Sequence, residues 1–128
     1  MRIVFIDLYT TGYDPGSVYE RPMGGMQSAV CYLSAELART GHDVFLLNHL
    51  ETARSHSGVQ CLPVSQSVEV FKYLFAIPRP DIVIVVADTR MAKVLRPFNE
   101  TGAPWVFWTG HSFDQPFNEA LADPESRD

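Results

Sequence analysis

The sequence predicts an α/β protein: a three-layer, doubly wound, mostly parallel sheet of about five strands with helices on both faces. Three observations predict it. Continuous apolar runs at 3–6, 44–47 and 82–86 read as strands buried on both faces. Residues 24–39 carry an apolar stripe at helical spacing between the first two runs. Strands separated by helices run parallel and are joined by right-handed crossovers, which gives helices on both faces of one sheet.

The totals fit one such domain. The chain has 128 residues, 46% hydrophobic and 20% charged, with a net charge of −5. That is enough chain for one core. The acidic balance argues against nucleic acid as a partner, which calls for a basic face. Cys31 and Cys61 lack C-x-x-C spacing and read as reduced core residues. Asp7 interrupts the first apolar run too early for a secretory leader, and no run approaches the length of a membrane span. The expected address is the cytoplasm.

Taken in order, residues 2–8 form the first strand, with Asp7 as an ordinary residue near its end. Residues 9–23 read as loop, since Gly12, Asp14-Pro15-Gly16 and Pro22 are turn chemistry. The loop is long for a strand-to-helix connection. Tyr9, Tyr13, Tyr19 and the pair Glu20-Arg21 make it a candidate ligand wall. The first helix spans 24–39, with Met26, Ala29, Val30, Leu33 and Leu37 on its apolar side, and Gly41 stands where a helix-ending glycine belongs. Residues 43–48 are a second strand, 49–57 are irregular, and 58–62 are a short third strand. Pro63 places that strand near the sheet edge.

Residues 67–77 are apolar nearly all round. Their length favours a helix between Ser67 and Pro78. Residues 82–86 are the next strand. Asp88 or Thr89 caps a short helix limited by Pro97, and 104–109 are the last strand. Residues 112–128 form a polar tail or a short helix, and no internal domain boundary is visible.

In such sheets ligands bind beyond the carboxyl ends of the strands, where the winding reverses. With the first strand central, that rim collects the segments 9–27, 87–90 and 110–114. Adjacent Gly24 and Gly25 open the first helix. A helix start offers unpaired N–H groups and a positive dipole end to a phosphate or another electron-rich group, although a plain flexible loop would also use paired glycines. His111 reads either as a surface loop histidine or as a hydrogen-bond donor to a sugar hydroxyl or developing anion. Asp88 reads either as a helix cap or as an acid at the rim. His42, His49 and His56 show no zinc spacing, so no metal is expected. A dinucleotide fingerprint, a P-loop and a hydrolase nucleophile elbow are all absent from the sequence.

The run Gly24-Gly25-Met26-Gln27, then Leu33, Leu37-Ala38 and Gly41-His42-Asp43-Val44, resembles the N-terminal domain of retaining family-4 glycosyltransferases of the GT-B fold. The segment from Trp108 to Pro116, with His111, is similar to a histidine-bearing loop in bacterial members. The likeness covers most of 1–116. It implies a Rossmann-like domain on the acceptor side of a cleft, in an enzyme moving a sugar from a nucleotide-sugar donor to an acceptor. No cofactor beyond that substrate is implied.

By the same resemblance Gly24 and Gly25 would line the cleft by backbone N–H, with Met26 and Gln27 beside them, and His111 would touch the transferred sugar. The family's E-x7-E pair and its basic diphosphate residues, on the nucleotide-binding half, have no counterpart here. This implies a truncated N-terminal piece that needs its own C-terminal domain as partner and is inactive alone. An apolar surface meant for that half could pair two copies into a homodimer. The rival classes are a free-standing flavodoxin-like module for a small ligand or protein, and a phosphoacceptor receiver domain, whose acid cluster Asp7 alone does not supply.

Overall fold

The computed structural model describes residues 1–64, 80–87 and 102–108. They form a six-stranded, mostly parallel sheet with one α-helix. The strands are β1 (Arg2–Thr11), β2 (Asp43–His49), β3 (Arg54–His56), β4 (Val59–Pro63), β5 (Ile82–Val86) and β6 (Trp105–Trp108). The helix α1 is Gly25–Arg39, and Ser17–Tyr19 make one 3-10 turn.

The strand order is β3-β4-β2-β1-β5-β6. β1 is therefore central, as expected. From it the chain winds outward through β2 and β4 on one side, and β5 and β6 lie on the other. All neighbours are parallel except β3 with β4. The sheet thus presents the carboxyl ends of β1, β2, β4, β5 and β6 along one edge, and the winding reverses between β1 and β5.

β1 is buried on both faces, which is why its apolar run does not alternate. Ile3 and Phe5 join Val44, Leu46, Val59 and Cys61 beneath α1, which contributes Val30 and Cys31. Val4 and Ile6 face the other way, into a cluster with Leu47, Val64 and Val83. Burial of such side chains is worth about 1.5–3 kcal/mol each. Both cysteines are reduced and buried. Burial, reinforced by Asp14, raises the Cys31 thiol to about 11 and the Cys61 thiol to about 12.

α1 ends as its sequence requires. Gly41 takes φ +98°, closed to most residues. His42 N–H then reaches Leu37 O at 3.1 Å and Gly41 N–H reaches Ala38 O at 3.1 Å, the paired bonds of a glycine-ended helix.

Five expectations need correction. The sheet has six strands, because 49–57 is not all irregular: β3 pairs with β4 through a two-residue turn, Ser57 at φ 53° and Gly58 at φ 79°. Such a turn matches the twist of a hairpin. The third expected strand accordingly starts at Val59 and includes Pro63, and it lies near the sheet edge as expected, with β3 outside it. β1 runs on to Thr11, past an irregularity between Asp7 and Thr11 against β2, so 9–11 are not loop. On α1 the buried positions are Gln27, Val30, Cys31 and Ser34, while Leu33 is 38% exposed. Asp7 is no ordinary strand-end residue but a core residue with three hydrogen-bond donors around it. The expected helices at 67–77 and after Asp88 and the tail at 112–128 lie outside the described residues.

Candidate functional site

The carboxyl end of β1 is built around Asp7. Its side chain is fully buried, and a buried carboxylate is tolerated only where donors surround it. Oδ2 accepts from Tyr13 Oη at 2.7 Å and from Gln27 Nε2 at 3.2 Å, and Oδ1 accepts from Tyr9 N–H at 3.0 Å. Burial, and then the adjacent Asp7 carboxylate, push the Tyr13 phenol well above its ordinary value. Tyr13 therefore stays a neutral donor. Gln27, in the first turn of α1, is thereby tied to the central strand.

Asn48, at the same level of β2, makes a second clamp. Its Oδ1 accepts from Tyr13 N–H at 3.2 Å and its Nδ2 donates to Tyr13 O at 2.9 Å. Residues 14–17 then close on themselves. Asp14 Oδ1 accepts from Gly16 N–H at 2.7 Å, Asp14 N–H donates to Ser17 Oγ at 3.0 Å, and Ser17 N–H donates to Asp14 O at 2.9 Å. The expected loop is thus a buried, hydrogen-bonded segment over 13–17. Of its three tyrosines, Tyr13 is buried in the core, Tyr9 lines a cleft, and Tyr19 is 77% exposed and meets Tyr32 edge to face.

Gly12, just after β1, packs tightly on the backbone at the end of β2. A Cβ there would lie 2.4 Å from His49 O. His49 in turn stands between two carbonyls, Nδ1 2.7 Å from Val64 O and Nε2 3.0 Å from Leu8 O, joining β1 to the segment after β4.

Two hollows open on this edge. A cleft of about 860 Å³ is lined by Thr11, Arg21, His49, Glu51, Thr52 and Arg54, among others. A niche of about 120 Å³ is lined by Tyr13, Arg21, Met23, Gly24 and Gln27, among others. Arg21 lines both.

Of the expected site residues, Gly24, Gly25, Met26 and Gln27 are brought to this edge at the start of α1. Gly24 precedes the helix at φ −60°, ψ 154°, and Gly25 is its first residue. Neither needs glycine for its backbone angles. Among the described residues, a Cβ on Gly24 would meet Gln27 Oε1 at 2.8 Å, and one on Gly25 would meet nothing within 4 Å. Met26 is partly buried against the core beneath α1. Asp88 and His111 lie outside the described residues.

Sequence reasoning missed Asp7, Arg54, Thr52 and the backbone at Ala87. Ala87 follows β5, is buried, and takes φ 68°, a conformation costing an alanine about 1–2 kcal/mol. Its N–H is held by Trp108 O at 2.8 Å. Left-handed backbone of this kind clusters beside binding sites, and no residue type announces it here. The Asp14 to Arg54 pair, 2.6 Å between Oδ2 and Nε, joins residues forty apart and leaves no local signal.

Among the described residues no group of three His, Cys, Asp or Glu could hold a metal ion, and no helix is long and apolar enough to cross a membrane. Comparisons with family models, curated proteins and solved structures found no match for this chain.

Proposed function

We propose that this chain is the N-terminal, acceptor-side half of a retaining glycosyltransferase that moves a sugar from a nucleotide-sugar donor to an acceptor. Its Rossmann-like domain would be completed as a three-layer, doubly wound sheet, working from the cytoplasm against its own C-terminal half. The observation that carries the reading is Gly25. An alanine would suit the start of a helix better than glycine, the space for its methyl group is open, and the backbone does not demand glycine. The fold therefore has no use for Gly25, whereas a ligand approaching the first N–H groups of α1 would.

In this reading Gly24 and Gly25 present N–H groups to the donor diphosphate or the transferred sugar, and His111 hydrogen-bonds that sugar. Met26 packs the helix start. Gln27 lines the niche beside Gly24, with its Nε2 held by Asp7. Asp88, in the same reading, is a further group for the donor or acceptor. The glycosidic bond forms with retention at the anomeric carbon as the bond to the nucleoside diphosphate breaks, the acceptor hydroxyl losing its proton.

A coupled assay of nucleotide release and glycoside formation tests this. The native protein containing this chain should transfer, these 128 residues alone should not, and Gly25→Ala should slow transfer about tenfold or more by displacing a reacting group. Transfer by the isolated chain, or an unchanged rate in Gly25→Ala, would overturn it. A small-ligand module is the second reading, favoured by the cleft of about 860 Å³ made by this chain's own described residues. Ligand binding without transfer in any context would select it.

A further inference from the structure

The cleft carries a charge unlike the chain as a whole. The protein has net charge −5, yet the described lining of the cleft sets Arg21 and Arg54 against one carboxylate, Glu51. Among the described residues each guanidinium has one partner. Arg54 gives its Nε to Asp14 Oδ2 at 2.6 Å, and Asp14 does not line the cleft. Arg21 gives Nη2 to Gly12 O at 2.7 Å. A guanidinium has five N–H donors in a planar fork that matches an oxyanion. One anchoring bond fixes each fork and leaves most of its donors for a ligand, so part of the ordering cost of binding is met before the ligand arrives. Thr11 and Thr52 also line the cleft, and hydroxyl groups suit the hydroxyls of a sugar.

We infer that this cleft binds a sugar bearing an oxyanion, carboxylate or phosphate, with the anion on Arg21 and Arg54 and the sugar hydroxyls on Thr11 and Thr52. The inference rests on the sugar-transfer reading and sharpens it by making the acceptor anionic. Arg21 also lines the niche in front of Gly24, so an anion held there lies beside the glycine turn.

The test titrates the isotope-labelled chain with glucuronate, glucose 6-phosphate, inorganic phosphate and glucose, followed by amide NMR. Glucuronate or glucose 6-phosphate should move the amides of Thr11, Gly12, Arg21 and Thr52, and the tighter of the two identifies the oxyanion. Binding should weaken with salt. Glucose should move none of these amides, and inorganic phosphate should bind more weakly than glucose 6-phosphate. Arg21→Gln, and Arg54→Lys, which keeps a cation for Asp14 but loses the fork, should each weaken binding about tenfold with the melting temperature held. Glucose binding as tightly as the charged sugars would overturn the inference. So would phosphate matching glucose 6-phosphate, or both variants binding normally. The readout needs no transfer. Sugar transfer to a neutral acceptor with no anion bound would end this inference and spare the reading beneath it, whereas anion binding in a protein that transfers nothing would do the reverse.

Discussion

Two neighbourhoods share one edge of the sheet and treat polar groups in opposite ways. Under the glycine turn, Asp7, Tyr13, Gln27 and Asn48 are buried and bonded to one another or to backbone. In the adjoining cleft, Arg21, Glu51 and Arg54 are exposed, and among the described residues each arginine has one partner. The buried set has spent its hydrogen-bonding capacity on shape. The exposed set keeps donors that a ligand could take. The first makes the second possible, because Asn48 and Asp7 clamp Tyr13, and the segment that follows carries Asp14 to its place beside Arg54.

The sharpest way to break this contrast is Asp7→Ala. It strips three donors of their acceptor inside the core, so it should lower stability by about 3–5 kcal/mol in urea unfolding. A loss below about 1 kcal/mol would mean that the buried set is not the brace. Next comes Gly12→Ala, which drives a methyl group into the backbone of His49 and should cost about 1–3 kcal/mol. Gly16→Ala is its control. The same methyl group there meets only the ring of His56, an exposed side chain that can turn aside, so the cost should stay below about 1 kcal/mol. Tyr13→Phe removes one bond to Asp7 and leaves the others, for about 1–2 kcal/mol.

The pH dependence separates the regions further. Cys31 and Cys61 are raised to about 11 and about 12 in the fold from an ordinary 9. The unfolded chain therefore loses these protons first as pH rises. Stability should be level with respect to the thiols below about pH 8.5, then fall by up to about 1.4 kcal/mol per pH unit for each thiol. Neither thiol should react with iodoacetamide at pH 8 until the protein unfolds. Denaturation curves at pH 8 and 10.5 with equal midpoints would contradict the burial of both. The smallest effect belongs to Gly25→Ala. Its stability should be unchanged or raised by up to about 1 kcal/mol, and a clear loss would show that the fold itself needs this glycine.

Much of the architecture was legible along the chain. The runs at 3–6, 44–47 and 82–86 are strands, α1 ends at Gly41 as its glycine demands, and the parallel pairing of β1 with β2 follows from the helix between them. The hairpin of β3 and β4 was available too, in the Ser57-Gly58 turn, but a three-residue strand with every residue exposed has no hydrophobic period to reveal it.

What the sequence determined by itself was therefore the backbone: which segments extend, which coil, and where a glycine must turn. Those outcomes depend on neighbours a few residues apart. Tertiary structure alone decided which polar residues go inside. Asp7 meets Gln27 across twenty positions and Tyr13 meets Asn48 across thirty-five. A carboxylate or an amide is buried only where distant donors happen to converge on it, and no local pattern encodes that meeting. The same convergence buried Tyr13 in the core and left Arg21, Glu51 and Arg54 as charged groups lining the cleft.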